Sequence, residues 1–137
     1  MKPSGLLVAL VLFAVSSGFT QDNLDQSRGT DASPVIVFDS TTYNYGKIPY
    51  KGDGSCIFEF KNSGKQPLLL TKVRASCGCT TPSWPKKPIK PGDSGSIKVM
   101  YNTRIRGNFS KSIRVYSNAE NSPVTLRIKG QVVVQNE

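Results

Sequence analysis

The sequence contains no histidine. That removes the commonest general base at neutral pH, the commonest nitrogen ligand for metals and the ordinary Ser or Cys triad. Acid is scarce too: 137 residues hold nine Asp and Glu against eighteen Lys and Arg. Asp39, Asp53, Glu59 and Asp93 stand singly, with no pairing along the chain that suggests the two carboxylates of a glycosidase. After Val15 there is no long apolar run, and no segment shows the three-to-four spacing of an amphipathic helix. With no helix to follow it, a glycine-rich phosphate loop has nowhere to lead. These absences point away from enzymes, and the expectation is a chain with no catalytic residues and no cofactor.

Cysteine is sparse and odd in number, at three. A structural zinc site takes four ligands from Cys, His or carboxylate, which three thiols without an imidazole do not supply. Cu(I) accepts fewer, softer ligands, so Cys77 and Cys79 are the candidate metal residues, with Cys56 as a third. Thioredoxin-like chemistry uses two intervening residues at a helix start, whereas here one glycine intervenes and no helix follows. As disulfides the options are Cys56–Cys77, Cys56–Cys79 and Cys77–Cys79. A bridge from Cys56 closes some twenty residues and adds roughly 3 kcal/mol in the loop-entropy model. One between Cys77 and Cys79 lies near the geometric limit unless Gly78 bends the chain, and it constrains little. Burial of all three as small apolar thiols is the plain alternative.

What is present begins with an export signal. Lys2 supplies a positive start, Leu6 to Val15 form a ten-residue apolar run, and Ser16, Ser17 and Gly18 follow. That run is shorter than the roughly 18–20 residues of a spanning helix. Residues 1–20 therefore read as a signal peptide, and the chain as exported, to the periplasm or the cell surface, with no membrane span after signal removal. Residues 21–34 are polar and read as a flexible linker. The folded domain is expected over 35–134, with 135–137 as a tail.

From Val35 onward the pattern has period two. In "SCIFEFKN" Cys56, Phe58 and Phe60 share one face, and "NSGK" at 62–65 reads as a turn. In "VTLRIKGQVVV" Val124, Leu126, Ile128, Gly130, Val132 and Val134 alternate with Thr125, Arg127, Lys129 and Gln131. About seven such strands fall in about 100 residues, each with one wet and one dry face. Two sheets must then cover each other, giving an all-β, immunoglobulin-like antiparallel β-sandwich, with a small closed barrel as the alternative.

Residues 80–95, "TTPSWPKKPIKPGDSG", break the alternation with four prolines, which fix φ and donate no ladder hydrogen bond. Trp84, Lys86, Lys87 and Lys90 on this stiff segment form a candidate binding loop, or else a cover for a sheet edge. Within 35–134 sixteen basic residues face five acidic ones. That field favours an anionic component of the cell envelope or an acidic protein as partner, the plain alternative being a solvated basic surface. The cations are spread singly, without the aromatic-interleaved stripe of a nucleic-acid binder, so nucleic acid is not expected.

"YNYGKI", "KNSGK", "SCGCT" and the following "PIKPG" run in an order that resembles the exported bacterial proteins of domain of unknown function 1573, relatives of the immunoglobulin-like ASH and MSP/PapD-like domains. The resemblance covers about 35–132. It implies the same sandwich and export in bacteria, and no activity. Cys77 and Cys79 match the Cys-Gly-Cys-Thr motif of that family, whereas Cys56 falls where the family varies. The expectation is an exported, non-catalytic binding or structural module. The alternative is a thiol-based Cu(I)-binding or redox-sensing protein using Cys77 and Cys79.

Overall fold

The computed structural model describes Gly5 and residues 32–136. The expected signal peptide apart from Gly5 and the linker up to residue 31 lie outside the described residues, as does Glu137. Pro34, at the linker's end, is buried, and its carbonyl accepts a hydrogen bond from the Glu120 amide (3.0 Å).

Eight strands follow: β1 (Ile36–Phe38), β2 (Thr42–Pro49), β3 (Ser55–Asn62), β4 (Leu70–Ala75), β5 (Thr80–Ser83), β6 (Ser94–Tyr101), β7 (Gly107–Ser117) and β8 (Val124–Val133). They form two four-stranded sheets, in the orders β1-β3-β6-β5 and β2-β8-β7-β4. The immunoglobulin-like sandwich expected from the alternation is present, with two differences. The eighth strand is β5, the start of the proline-rich segment, where Pro82 lies at a sheet edge and tolerates the missing donor. The sheets are also not wholly antiparallel. The chain leaves β1 in one sheet for β2 at the rim of the other, and β2 runs parallel to β8.

The dry faces are those that the period-two pattern marks. β3 buries Cys56, Phe58 and Phe60, β6 buries Ile97, Val99 and Tyr101, and across the gap lie Phe109, Ile113, Val115, Leu126 and Ile128. Tyr101 and Phe109 stack between the sheets with centroids 3.7 Å apart. Gly95 faces Phe60 in register, where an added Cβ would come within 2.6 Å of the ring, so only glycine lets β6 approach here.

Among the described residues, three polar side chains are buried: Asn62, Thr80 and Thr103. Asn62 is fully buried at the end of β3 and donates to the carbonyls of Gln66 (2.7 Å) and Ile89 (3.0 Å). Its oxygen accepts from the Gly64 amide (3.0 Å). It therefore shapes the 62–65 turn and ties the proline-rich segment to it, in place of ladder bonds that prolines cannot make.

Candidate functional site

β4 is a rim strand of one sheet and β5 of the other, so the chain changes sheets between them. It does so in four residues, Ser76 to Cys79, which form a bend and a turn. The Cys77 carbonyl accepts from the Thr80 amide (3.4 Å), and the Ser76 amide bonds to the Ser112 carbonyl (2.9 Å). Cys77 and Cys79 are joined as a disulfide across this turn, with Cα atoms 5.3 Å apart. The bend at Gly78 brings the pair inside the range of about 4.4–6.8 Å that a disulfide accepts. Both sulfurs are half-buried beside the buried Thr80 hydroxyl, at 3.9 Å and 3.7 Å.

Cys56 is not part of this unit. It pairs with Val99, and Val99 with Pro82, so it lies two strands inward and out of register with the turn. It is a buried free cysteine, and loss of solvent pushes its thiol pKa above the usual 9.0. Beside it Tyr45, whose hydroxyl donates to the Gly54 carbonyl (2.7 Å), is raised further, by burial first and the Cys56 contact second.

Two other turns meet the disulfide corner at the same end of the sandwich. The Asn102 amide donates to the Cys79 carbonyl (2.8 Å), and the Thr103 hydroxyl to the Gly52 carbonyl (2.7 Å). The Lys51 amide bonds the Thr103 carbonyl (3.2 Å), and Lys51 sits at φ 63°, a left-handed conformation uncommon outside glycine. Together these turns line a cleft of about 540 Å³ with Lys51, Asp53, Cys79, Thr81, Tyr101 and Arg104 on its walls. Asp53 accepts from the Ser55 hydroxyl (2.6 Å) and amide (2.8 Å), and those donors hold its carboxyl below its usual range. It is the cleft's single carboxylate among the described residues and stays ionised at neutral pH. The walls therefore offer charges of both signs beside Cys79.

The candidate loop lies elsewhere. Trp84 packs partly against the core, and Lys86 places its ammonium 3.0 Å from the indole centroid. Ile89 forms a bridge with Leu68, while Lys87 and Lys90 are exposed. Trp84 and Ile89 are thus laid on the sandwich, and the three lysines are exposed. The cleft residues Lys51, Asp53 and Arg104 escape sequence reasoning. Their turns, "KGDG" and "NTRIRG", are legible as turns, but their meeting with residues 76–79 is set by strands far apart in the chain.

The model of the family described as protein of unknown function (DUF1573) matches residues 36–132. No curated protein sequence matches the chain. A protein of unknown function from Porphyromonas gingivalis W83 superposes with a TM-score of 0.64 at 21% identity, over 74% of this chain and 48% of that one. The ASH/PapD-like domain 7 of human CEP192 gives 0.61 at 11% identity, over 77% and 89%. The VesB protease of Vibrio cholerae also gives 0.61, at 19% identity over 71% and 32%. The chain thus spans about half of the Porphyromonas protein and a third of the protease. At these identities the likeness is one of fold.

Proposed function

Because the chain belongs to the DUF1573 family, matched over residues 36–132, we propose that it is an exported, non-catalytic binding module of the bacterial cell envelope. Its partner contact is the loop end closed by Cys77–Cys79. The observation that carries this reading is the tying of three turns, 49–54, 76–79 and 102–105, around one charged cleft. Loops held by a rigid sandwich are where such folds place recognition. The disulfide keeps the 76–79 turn in one shape, which lowers the ordering cost of binding.

A photo-crosslinking residue placed at Arg104 in the native host tests it. The expected result is a discrete adduct from Arg104 and none from Ser96, on β6 away from this end. Equal adducts from both positions, or none from Arg104, would overturn the assignment.

A second reading is supported by the half-buried disulfide on the cleft wall: a redox-sensing unit. A dithiol donor would give two electrons and two protons to Cys77–Cys79, releasing two thiols and freeing the turn. Cu(I) capture requires that same reduced pair. Alkylation mass mapping of the exported protein separates these readings. A pair that stays oxidised under all growth conditions leaves the disulfide as a clip, and a pair whose state follows growth conditions favours sensing.

A further inference from the structure

Within the strands, as distinct from the loops, the positive charge is gathered on one sheet. The strands β2, β8, β7 and β4 contain seven Lys and Arg and no Asp or Glu, while those of the other sheet contain Lys61, Lys98 and Glu59. Six of the seven, Lys47, Lys72, Arg74, Arg114, Arg127 and Lys129, are exposed and alternate with core residues, so they share the outer face.

Register turns this face into a track. Arg74 stands opposite Arg114, and Arg114 opposite Thr125. Arg127 and Lys129 come next along β8, and Gln131 lies opposite Lys47 at the far rim. The diagonal crosses three strand gaps and six residues, roughly 25 Å at ordinary sheet spacings. Cations directly opposite one another destabilise a sheet, so the Arg74–Arg114 pair gives the fold nothing. Hydroxyls and amides lie between the cations, and Arg127 is held by the Ser110 hydroxyl (3.0 Å). At the Lys47 end lies a shallow, open hollow of about 490 Å³ over β8, with Asn44 and Asn108 on either side and Gln131 at its border. Gly46, at φ +67° in the β2 bulge, leaves it clear of a side chain.

We propose that this face binds a linear acidic polysaccharide, its carboxylate or phosphate groups laid along the track and a sugar ring in the hollow. Charge complementarity calls for a polyanion, and the interleaved hydroxyl and amide groups suit a hydroxyl-rich one. An anionic bilayer is the weaker fit, because surface-lying proteins add apolar anchors to their cations. Here the exposed large apolar groups lie off this face. Val37, Ile57 and Met100 are on the other sheet, Ile105 is in a turn, and Val134 follows β8. Tyr43 is aligned with buried Ile128 and so points away from the track. The proposal stands on this charge map and does not require the loop end to bind anything.

The test is binding of the purified exported protein to polygalacturonate and to phosphorylated dextran, with neutral dextran, phosphatidylglycerol vesicles and duplex DNA as comparators. Saturable binding to one or both acidic glycans, weakening as salt rises, and none to neutral dextran is expected. The double variant Arg114→Gln/Arg127→Gln should bind on the order of tenfold more weakly. Lys61→Gln/Lys98→Gln removes the same charge from the other sheet and should stay within about twofold, since the lost cations lie off the track. Melting temperatures check that both variants fold, and Arg114→Gln is expected to be at least as stable as the parent. Equal loss in the two double variants, tighter binding to vesicles or DNA, or binding to neither acidic glycan would overturn the proposal.

Discussion

The two sheets have the same number of strands and bury apolar faces of the same kind, yet their outer faces have little in common. One carries two cations, an acid and exposed Ile57 and Met100 among serines. The other carries six exposed cations and no acid, with neutral polar residues between them. Folding demands only that the inner faces match, since burial is where the large free energies lie. The outer faces are free of that demand, so a difference between them reflects something other than making a sandwich. The comparison can be broken at its inner half, where the sheets should behave alike, or sharpened at its outer half, where they should not.

The largest effect belongs to the inner half. Ile97 on β6 and Ile128 on β8 are both fully buried, one in each sheet. Replacing either by alanine should cost about 2–5 kcal/mol, as removal of three methyl or methylene carbons leaves a cavity that close packing fills only in part. Denaturant unfolding should give losses within about 1 kcal/mol of each other, the core being shared. A large loss in one and a small one in the other would mean that one sheet carries the core alone.

Asn62 marks where the inner faces do differ. Asn62→Ala removes both donors to the Gln66 and Ile89 carbonyls and leaves them without that partner. A loss of about 1–3 kcal/mol is expected, the cost of losing the hydrogen bonds made by a fully buried amide. Amide exchange should show the damage concentrated in residues 62–68 and 84–92, whereas a global loss with no local pattern would deny Asn62 its role as the tie.

Much of this was legible in the sequence. Period-two alternation located the inward faces of β3 and β8, because a strand with one wet side has no other way to write itself. β5 was hidden by prolines, which read as loop and here line a rim. β2 was half-legible, since Tyr43 and Tyr45 alternate but a parallel partner at the far end of the chain leaves no local mark. Cys56 read correctly as inward-pointing from Phe58 and Phe60. The cleft was not readable, for it is made of three turns whose meeting is a tertiary event. The charged track lay between: Arg127 and Lys129 were visible as outward-facing, but only the sheet order puts the other cations on one surface with them.

Alkaline pH probes groups from both sheets together. Cys56 and Tyr101 belong to one sheet and Tyr45 to the other, and burial raises all three pKa values above the usual 9.0 and 10.0. Raised values mean that the folded state holds these protons more tightly than the unfolded chain. Stability from them is complete below about 9 and is lost as pH climbs beyond it, at up to about 1.4 kcal/mol per pH unit and group. Cys56 titrates first in the unfolded chain, so Cys56→Ala should move the onset upward toward the tyrosine range. Guanidine midpoints between pH 7 and 11 measure this, and an unchanged onset would place the thiol outside the linkage.

The smallest effect sharpens the comparison most. Arg74 and Arg114 face each other on β4 and β7, with no acid anywhere in their sheet to offset them. Cross-strand like charges oppose pairing, and the hydroxyl of threonine at one position restores a neutral neighbour with good strand propensity. Arg114→Thr should therefore raise stability, by about 0.2–1 kcal/mol at low ionic strength and less at high salt, where the repulsion is screened. Lys98→Thr on the opposite sheet is the matched control. Its neighbours across the sheet are Ile57 and Ser83, so it relieves no repulsion and should show no salt-dependent gain. A gain at Arg114 that salt removes, with none at Lys98, means the cation track costs the fold stability. A gain of equal size at both positions would mean that the domain responds to net charge alone, and the two outer faces would be alike after all.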